Sequence, residues 1–252
     1  MRQGERFWVA AGLTWASRPD QIRPDRLAKR VFDLVGSAVL LVLLLPVIVV
    51  LAVVIKLDSP GPLFFRCRRV GFRGRDLEML KFRKMVIGAP GPALTVPEDA
   101  RFTRAGRFLA STKLDELPQL WNVLKGEMSL VGPRPEDPQF ISLHPEEYER
   151  ILTVKPGVTG LCQLAFAREG ELLSPDDRVG MYVQNLLPQK VQIDTFYASG
   201  RTLAMDLRIL VWTGVAVLLR RDVAVHRESG RLSVRRRPRL EVPERVGSLE
   251  SA

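Results

Sequence analysis

Two adjacent carboxylates, Asp115 and Glu116, stand where a helix is expected to begin, and their types and position suit catalysis. Pro118 is tolerated only in the first turn of a helix, so the sequence predicts a helix start near residues 115–117. The helix is predicted to end at Gly126 and to have one apolar face, formed at the spacing i, i+3, i+4 and i+7 by Leu117, Leu120, Trp121 and Leu124. The unpaired N–H groups there keep a carboxylate ionised, as a nucleophile or a metal ligand requires. The alternative is a helix cap, because Thr112 precedes Asp115 at the spacing of a capping box.

Basic residues in short, rigid contexts accompany this pair. Arg134 lies between Pro133 and Pro135, so its backbone is nearly fixed, which suits an arginine that contacts a phosphate in defined geometry. Carboxylates with several Arg and Lys side chains form the natural site for a diphosphate and a divalent ion. The alternative is a solvated basic face. The candidate substrate-binding residues are Lys81, Arg83, Arg104, Arg107, Lys125 and Arg134.

Other kinds of site are excluded by residue counts and spacing. The two histidines, His144 and His226, are too few for a His-rich metal site. The two cysteines, Cys67 and Cys162, form neither a zinc motif nor a disulfide framework, and they suit a reducing compartment. The sequence has no GxxxxGK[ST] or GxGxxG motif, so P-loop and Rossmann chemistry is not indicated.

The element that places this chemistry is an apolar stretch, Leu34–Ile55, in which 22 residues carry no charge. A helix of that length reaches ~33 Å, close to the ~30 Å of a bilayer core. Both flanks are basic, and the positive-inside rule puts basic flanks on the cytoplasmic side. Pro46 near the middle predicts a helix break, so that the helix enters and leaves the membrane by one face. The alternative is a simple span with its C-terminal flank outside.

The net charge of +10 lies mostly at the two ends of the chain. Residues 1–30 and 220–252 each carry +4, whereas the segment between them carries +2. Basic ends beside apolar helices are typical of contact with anionic lipids. The alternative is a tail that only solubilises the protein. A nucleic-acid binder is not expected, because it would place the positive charge on the folded domain.

These patterns divide the chain into four parts and predict a helix-rich α/β fold. The parts are a polar basic arm (1–24), a re-entrant membrane helix (25–57), a small cytosolic catalytic domain (58–219) and a basic, flexible tail (220–252). Within the domain, Leu63–Phe65 and Leu77–Leu80 are predicted strands. A helix over Leu203–Leu219 carries Asp206 and Arg208, so it is expected to lie at the membrane interface rather than to cross it.

Seven blocks of the sequence resemble the bacterial sugar transferases, the monotopic phosphoglycosyl transferases that act on polyprenol phosphate. They run in the family's order over roughly residues 27–215, and the run from Leu114 to Pro135 is the most specific. The chain resembles the small form, without a multi-span domain before the re-entrant helix. The blocks are Lys29–Asp33, Ser59–Pro62, Arg69–Gly71, Lys81–Met85, Leu114–Leu120, Asn122–Pro135 and Lys155–Gly160.

This resemblance implies transfer of sugar-1-phosphate from a nucleotide-diphosphate sugar, such as a UDP-sugar, to undecaprenyl phosphate. Asp115 matches the family's nucleophile, which forms a covalent phosphosugar intermediate and binds Mg²⁺, and Glu116 matches its second acid. The implied place is the cytoplasmic face of the bacterial inner membrane, in the first membrane step of an exopolysaccharide or lipopolysaccharide pathway. A homodimer or a complex with downstream glycosyltransferases is left open.

Three residues depart from the family's pattern. Ala110 stands where an Arg often precedes the nucleophile, Leu45 stands where a Ser often precedes the helix-breaking proline, and Lys84 stands where Thr or Ser is usual. Either the phosphate contact of this Arg is missing, or Arg107 or Lys113 replaces it. The missing Arg also favours an alternative in which the chain is an inactive, membrane-anchored relative that serves as a scaffold in polysaccharide assembly.

Overall fold

The computed structural model describes residues 25–91, 94–174, 176–219, 221–226 and 229–234. Its first element is α1 (Asp25–Asp58), a single helix of 34 residues. By length and composition α1 is the one helix among the described residues that could cross a membrane. It continues through Pro46, so the secondary structure is not interrupted there. A bend at Pro46 and a re-entrant path stay predictions, and the arm 1–24 lies outside the described residues.

Beyond α1 the described chain consists of short helices and strands. The helices are α2 (Arg104–Thr112), α3 (Gln119–Lys125), α4 (Pro138–Ile141), α5 (Pro145–Ile151), α6 (Leu161–Ala165), α7 (Arg178–Met181), α8 (Leu187–Gly200) and α9 (Leu203–Leu218). The strands are β1 (Phe64–Val70), β2 (Asp76–Phe82), β3 (Ser129–Val131), β4 (Gly157–Thr159), β5 (Val223–Val225) and β6 (Leu232–Val234). The antiparallel pairs are β1–β2 and β5–β6, and β3 pairs in parallel with β4. This architecture agrees with the predicted helix-rich α/β class.

The N-terminal half of α1 is attached to the domain by polar contacts. Asp33, only 2% exposed, accepts hydrogen bonds from Ser129 Oγ at 3.0 Å and from the N–H of Leu130 at 3.1 Å. The Arg30 guanidinium donates to the carbonyls of Val123 and Leu124, each at 2.7 Å, and so caps the C-terminal end of α3. Because Asp33 and Arg30 lie one turn apart, this part of α1 is fixed both to β3 and to α3.

The C-terminal half of α1 packs against the same domain by apolar contacts. Leu51 and Ile55 are buried in a cluster with Phe82 of β2 and Leu109 of α2. Leu114 packs against this cluster immediately before the carboxylate pair. Both halves of the apolar helix therefore contact one domain, and the second half lies next to the carboxylate dyad formed by Asp115 and Glu116.

A buried ionic network links α1 to α9. The ammonium of Lys29 lies 3.0 Å from Asp33 Oδ1 and 2.8 Å from Asp206 Oδ2. The hydroxyl of Tyr197 lies 2.6 Å from Asp206 Oδ1 and 3.0 Å from the carbonyl of Val131. Buried charges are tolerated only when they are paired in this way, so the network fixes α9 against both β3 and the start of α1.

Much of the outward face of these two helices is apolar and exposed. On α1 the exposed side chains include Val42, Leu43 and Val50, and on α9 they include Leu207 and Val211. Contiguous apolar surface of this kind is typical of a membrane or a protein partner. The predicted helix near residues 203–219 is therefore present, and its place at the membrane interface stays a prediction.

The region of the dyad differs from the predicted helix in one respect. Residues Leu114–Glu116 form a separate 3₁₀ turn, and the α-helix begins only at Gln119, after Pro118. The buried side of α3 is formed by Gln119, Leu120, Asn122 and Val123. Leu120 is therefore buried as predicted, while Trp121 is 52% exposed instead of lying on the predicted apolar face. The predicted end is confirmed, because Gly126 takes the left-handed conformation that terminates α3.

The folded domain extends past the predicted boundary at residue 219. The β5–β6 hairpin follows α9, and Val223 of β5 is buried in the core cluster that also holds Ile209. A basic composition does not prevent this, since one buried valine and a paired strand are enough to dock a short hairpin. The remainder of the predicted tail, residues 235–252, lies outside the described residues.

Candidate active site

Asp115 is an almost completely buried carboxylate with few partners. It is 1% exposed, and neither of its oxygens accepts a hydrogen bond from the described residues. The ammonium of Lys84 lies 2.9 Å from Oδ2 as an ion pair without hydrogen-bond geometry. The Thr112 hydroxyl donates to the carbonyl of Phe108 instead of forming a capping box. The helix-cap alternative therefore does not describe Asp115, whose Oδ1 is left unpaired.

Glu116 is held by two cations. Its Oε1 lies 2.8 Å from the Lys81 ammonium and 3.4 Å from the Arg134 guanidinium. Burial raises the pKa of this carboxyl, but the attraction of Lys81 and Arg134 exceeds that effect and leaves the pKa well below its usual range. The same pairing with Glu116 raises the pKa of Arg134. Glu116 is therefore ionised at neutral pH, and it fixes the two cations beside Asp115.

Lys113 is a further cation at the dyad. It adopts a left-handed conformation, with φ of 61°, that joins α2 to the 3₁₀ turn. Although its side chain reaches the surface, desolvation of the ammonium followed by repulsion from Arg134 lowers its pKa. With Lys81, Lys84 and Arg134 it makes four cations around two carboxylates. The surplus of positive charge is complementary to a diphosphate.

The position of Lys84 is set by the close packing of its backbone against α2. Its carbonyl accepts a hydrogen bond from the N–H of Thr103 at 3.1 Å. Gly106 of α2 is so near that a Cβ there would lie 1.8 Å from the same carbonyl oxygen. Because Gly106 has no side chain, the backbone that follows β2 can approach α2 closely enough to bring Lys84 to Asp115.

Replacing this glycine should therefore disturb the site. We expect Gly106→Ala to lower the free energy of unfolding by roughly 1–3 kcal/mol and to reduce transferase activity, because the Lys84 backbone must move. The matched control is Gly214→Ala in α9, where a Cβ would meet nothing within 4 Å. That change should be neutral or stabilise the helix slightly. Thermal unfolding of both variants in detergent checks the difference, and equal losses of stability would contradict it.

Arg134 is positioned by its backbone as well as by Glu116. The flanking residues are fixed by β4, since the N–H of Gly132 donates to Thr159 O and the N–H of Gly157 donates to Pro133 O, each at 2.9 Å. Asp194 of α8 accepts a hydrogen bond from the backbone N–H of Arg134. Burial raises the pKa of Asp194 to about 7.

The raised pKa of Asp194 predicts a pH dependence of stability. The folded state binds the proton more tightly than the unfolded state, whose ordinary aspartate pKa is about 4. The stabilisation is complete below that value and is lost as pH rises toward about 7. Between these pH values the free energy of unfolding of wild type should fall by on the order of 1 kcal/mol per pH unit, and Asp194→Asn should remove this fall. Unfolding measured from about pH 5 to pH 7 checks it, and parallel profiles of variant and wild type would contradict it.

A second buried cluster lies behind Arg134. Glu136 accepts a hydrogen bond from the Tyr182 hydroxyl, and the Lys190 ammonium lies 2.8 Å from that hydroxyl and 2.9 Å from Glu169. Tyr182 begins a five-residue π-helical segment, Tyr182–Leu186, which joins α7 to α8. Such segments are rare and occur often at functional sites. The cluster holds α8 against the loop that carries Arg134.

The structure brings together only part of the predicted substrate-binding set. Lys81 and Arg134 lie at the dyad, but the Arg83 guanidinium is buried and donates to the carbonyls of Ser59 and Pro60 at 2.8 and 2.7 Å. Arg104 and Arg107, the first and fourth residues of α2, are both exposed. Lys125 pairs with Glu127 at the end of α3 that is farther from the dyad. A contact of these four residues with substrate stays a prediction.

Two cations at the dyad, Lys84 and Lys113, were not among the candidate substrate-binding residues, although Lys113 was one of two residues expected to replace the missing Arg. Lys84 lies in the basic run that follows β2, and Lys113 lies two residues before Asp115. Both signals are weak in the sequence, because side chains on a loop point in directions that only the fold determines. Their place beside Asp115 follows from the close approach at Gly106 and from the left-handed backbone at Lys113.

The donor set fits Mg²⁺ supplied together with a substrate. The unpaired Oδ1 of Asp115 is a hard oxygen ligand. Among the described residues no group of three or more His, Cys, Asp or Glu could hold a metal without further ligands. Mg²⁺ commonly uses one or two carboxylates together with substrate phosphates, so a single carboxylate beside a diphosphate is a suitable arrangement.

Comparison with known proteins agrees with this geometry. A sequence model of the bacterial sugar transferases matches residues 24–220. Over 198 residues the chain is 41% identical to an undecaprenyl-phosphate glucose phosphotransferase of Komagataeibacter xylinus, covering 75% of this chain and 35% of that protein. Over 197 residues it is 39% identical to a UDP-glucose:undecaprenyl-phosphate glucose-1-phosphate transferase of Caulobacter vibrioides, covering 76% and 70%.

A third relative aligns with this chain over almost the whole of the relative's own length. The exopolysaccharide production protein PSS of Rhizobium leguminosarum bv. phaseoli is 37% identical over 206 residues, which cover 78% of this chain and 98% of that protein. By contrast, the chain spans about a third of the Komagataeibacter protein. The family match covers all the described helices and the carboxylate pair. The chain belongs to the bacterial sugar transferase family.

Proposed function

We propose that this protein transfers sugar-1-phosphate from a UDP-sugar to undecaprenyl phosphate and releases UMP. The observation that carries the proposal is the buried Asp115 carboxylate, which has an unpaired oxygen and lies within a surplus of cations. The names of the Caulobacter and Komagataeibacter relatives support both substrates. The name of the Rhizobium relative supports a place in exopolysaccharide production, and we assign the chain to the first membrane step because the proposed reaction loads the lipid carrier.

Catalysis begins with neutralisation of the donor diphosphate. Arg134 and Lys81, which Glu116 holds in place, face the phosphate oxygens, and Lys113 adds a further charge. Without these cations an anionic carboxylate could not approach an anionic diphosphate. When bound at Asp115, Mg²⁺ supplies additional neutralisation of the diphosphate oxygens.

Asp115 acts as the nucleophile in the first of two displacements. A lone pair of its carboxylate oxygen forms a bond to the sugar-proximal phosphorus, and the bond from that phosphorus to the bridging oxygen breaks. UMP leaves with the electron pair, and Asp115 carries the sugar phosphate as an acyl phosphate. A phosphate oxygen of undecaprenyl phosphate then attacks the same phosphorus, and the Asp115 carboxylate is released unchanged.

The position of the dyad beside α1 suits a lipid-linked acceptor. Leu51 and Ile55 of α1 pack in the cluster that Leu114 adjoins, so the apolar helix ends next to the catalytic turn. A polyprenol chain lying in the membrane beside α1 would present its phosphate at the level of Asp115. The proposal therefore puts the active site at the headgroup level of the bacterial inner membrane, on the cytoplasmic face, where the UDP-sugar is available.

The re-entrant path of α1 is part of this proposal. Polar contacts at Arg30 and Asp33 and apolar contacts at Leu51 and Ile55 join both halves of the helix to one domain. A helix that crossed the bilayer would carry its two ends to opposite sides. Pro46 lies between the two contact regions, where the loss of a backbone donor permits a bend.

Labelling in intact cells tests this path. Leu27 and Leu57 are 75% and 83% exposed and lie near the two ends of α1, so each can be replaced by cysteine in a Cys67→Ser background. The re-entrant path predicts that a membrane-impermeant thiol reagent labels both cysteines only after the cells are opened. Labelling of the cysteine at position 57 in intact spheroplasts would establish a spanning helix instead.

Release of UMP tests the activity and distinguishes it from the scaffold alternative. The full chain, supplied with undecaprenyl phosphate, Mg²⁺ and a panel of UDP-sugars, should release UMP with at least one donor, and omission of the lipid should limit release to about one equivalent. The panel begins with UDP-glucose, UDP-galactose and UDP-N-acetylgalactosamine. No release with any donor, from protein that binds the lipid, would support an inactive scaffold.

A further inference from the structure

Lys84 forms an ion pair with the buried Asp115 carboxylate. Among the described residues it is the only cation within ion-pair distance of Asp115, at 2.9 Å from Oδ2. Its ammonium also lies 5.8 Å from the centroid of the Phe102 ring, an arrangement that favours a cation. Its backbone is fixed by Thr103 and by the close packing of Gly106. The ion pair is therefore built by the fold.

The charges around Asp115 oppose a free divalent cation. Glu116 is already engaged by Lys81 and Arg134, so its negative charge is compensated. A metal ion entering alone would find one carboxylate, and it would meet the positive charge of Lys84 on the other oxygen of that carboxylate. Like charges at this distance in a buried site repel strongly.

A metal ion that enters with a diphosphate meets a different balance of positive and negative charge. The phosphate oxygens bring negative charge that compensates the surplus of the four cations, and they supply ligands that the protein does not. Lys84 then has an alternative anionic partner, so its hold on Asp115 weakens as the donor binds. Once Asp115 has reacted it no longer carries a charge, and the Lys84 ammonium is left beside the new phosphoryl oxygens.

We propose that Lys84 is a positioning residue that keeps Asp115 paired and metal-free in the resting protein, so that Mg²⁺ enters only with the donor diphosphate. This inference rests on the assignment of Asp115 as the nucleophile in the proposed function. Lys84 acts through Asp115, because its charge at Oδ2 opposes a metal ion that approaches Oδ1 without a diphosphate. As a result, the Asp115 carboxylate binds a complex of metal and donor in preference to the metal ion alone.

Binding of Mn²⁺ to the full-length protein without nucleotide tests the proposal. Electron paramagnetic resonance reports free Mn²⁺ directly, without any reaction. We expect Lys84→Met to bind Mn²⁺ about tenfold more tightly than wild type, because the competing charge is gone. Lys84→Gln provides a second uncharged variant should the first fold poorly. Lys84→Arg retains the charge and should match wild type. Adding Asp115→Asn to Lys84→Met should abolish the gain.

The outcomes are separable from those of the activity assay. Damage to the fold would weaken metal binding, whereas the proposal requires a gain, so a misfolded variant cannot imitate the expected result. Mn²⁺ affinities of both uncharged variants within about twofold of wild type would overturn the proposal, as would a gain that persists without the Asp115 carboxylate. If wild type released no UMP but the gain at Asp115 were observed, the proposed function would fail while the role of Lys84 in metal exclusion would stand.

Discussion

Asp115→Asn should abolish sugar-phosphate transfer, with a loss of at least about a thousandfold in the rate of UMP release. The amide keeps the shape and burial of the side chain but has neither the negative charge nor the nucleophilic oxygen of the carboxylate. The cluster of Glu116, Lys81 and Arg134 does not include Asp115, so it should keep its geometry. The residual rate, measured as UMP release from the full chain, reports what positioning alone contributes.

Two controls isolate the role of the Asp115 carboxylate. Membrane association of Asp115→Asn should equal that of wild type, because α1 and α9 are unchanged and supply the apolar surface. Glu78→Gln, which alters a carboxylate that is more than half exposed and paired with Arg66 on the β1–β2 hairpin, should leave activity near that of wild type. Full activity in Asp115→Asn would remove the nucleophile from the mechanism.

Asp33→Ala should produce the largest loss of stability among single substitutions at the junction of α1 and the domain. The Asp33 carboxylate accepts hydrogen bonds from Ser129 Oγ and the Leu130 N–H and pairs with Lys29, all of them buried. Its removal leaves the buried Leu130 N–H without its acceptor and Lys29 with one remaining carboxylate, Asp206, whereas the Ser129 hydroxyl can still donate to the Val131 carbonyl. We expect a loss of about 3–5 kcal/mol and a fall in the unfolding temperature of roughly 10 °C.

The matched control for Asp33 is an exposed ion pair. Glu78 lies 2.7 Å from Arg66, but both side chains are more than half exposed. Glu78→Ala should therefore change stability by less than about 1 kcal/mol, since solvent screens such a pair. A similar change for Asp33→Ala, measured by thermal unfolding in the same detergent, would show that the buried contacts of α1 do not hold the domain.

The membrane helix, the carboxylate pair and the β1–β2 hairpin could be predicted from the sequence because each depends on local pattern. Twenty-two uncharged residues predict a helix wherever they occur, and Pro118 limits where a helix can start. Trp121 was misplaced because the buried side of α3 includes the polar residues Gln119 and Asn122, which an apolar pattern does not reveal. Asn122 is buried because its amide bonds the backbone of β2.

The cations of the site were predicted less completely, because their directions depend on tertiary contacts. Arg83 and Lys84 are neighbours, yet one donates to carbonyls near the end of α1 and the other pairs with Asp115. The raised pKa of Asp194 could not be inferred either, since it arises from burial of α8. Sequence patterns thus identified the candidate nucleophile, and the fold determines which charged side chains lie next to it.

The covalent step is the central claim of this account, and intact-protein mass spectrometry tests it most directly. The full chain is mixed with Mg²⁺ and the UDP-sugar that supports UMP release, without undecaprenyl phosphate, and quenched rapidly. We predict a mass gain of one sugar phosphate that maps to the peptide containing Asp115, disappears on addition of undecaprenyl phosphate and is absent in Asp115→Asn. UMP release with no adduct at any quench time, or an adduct on another residue, would contradict the assignment of Asp115 as the nucleophile.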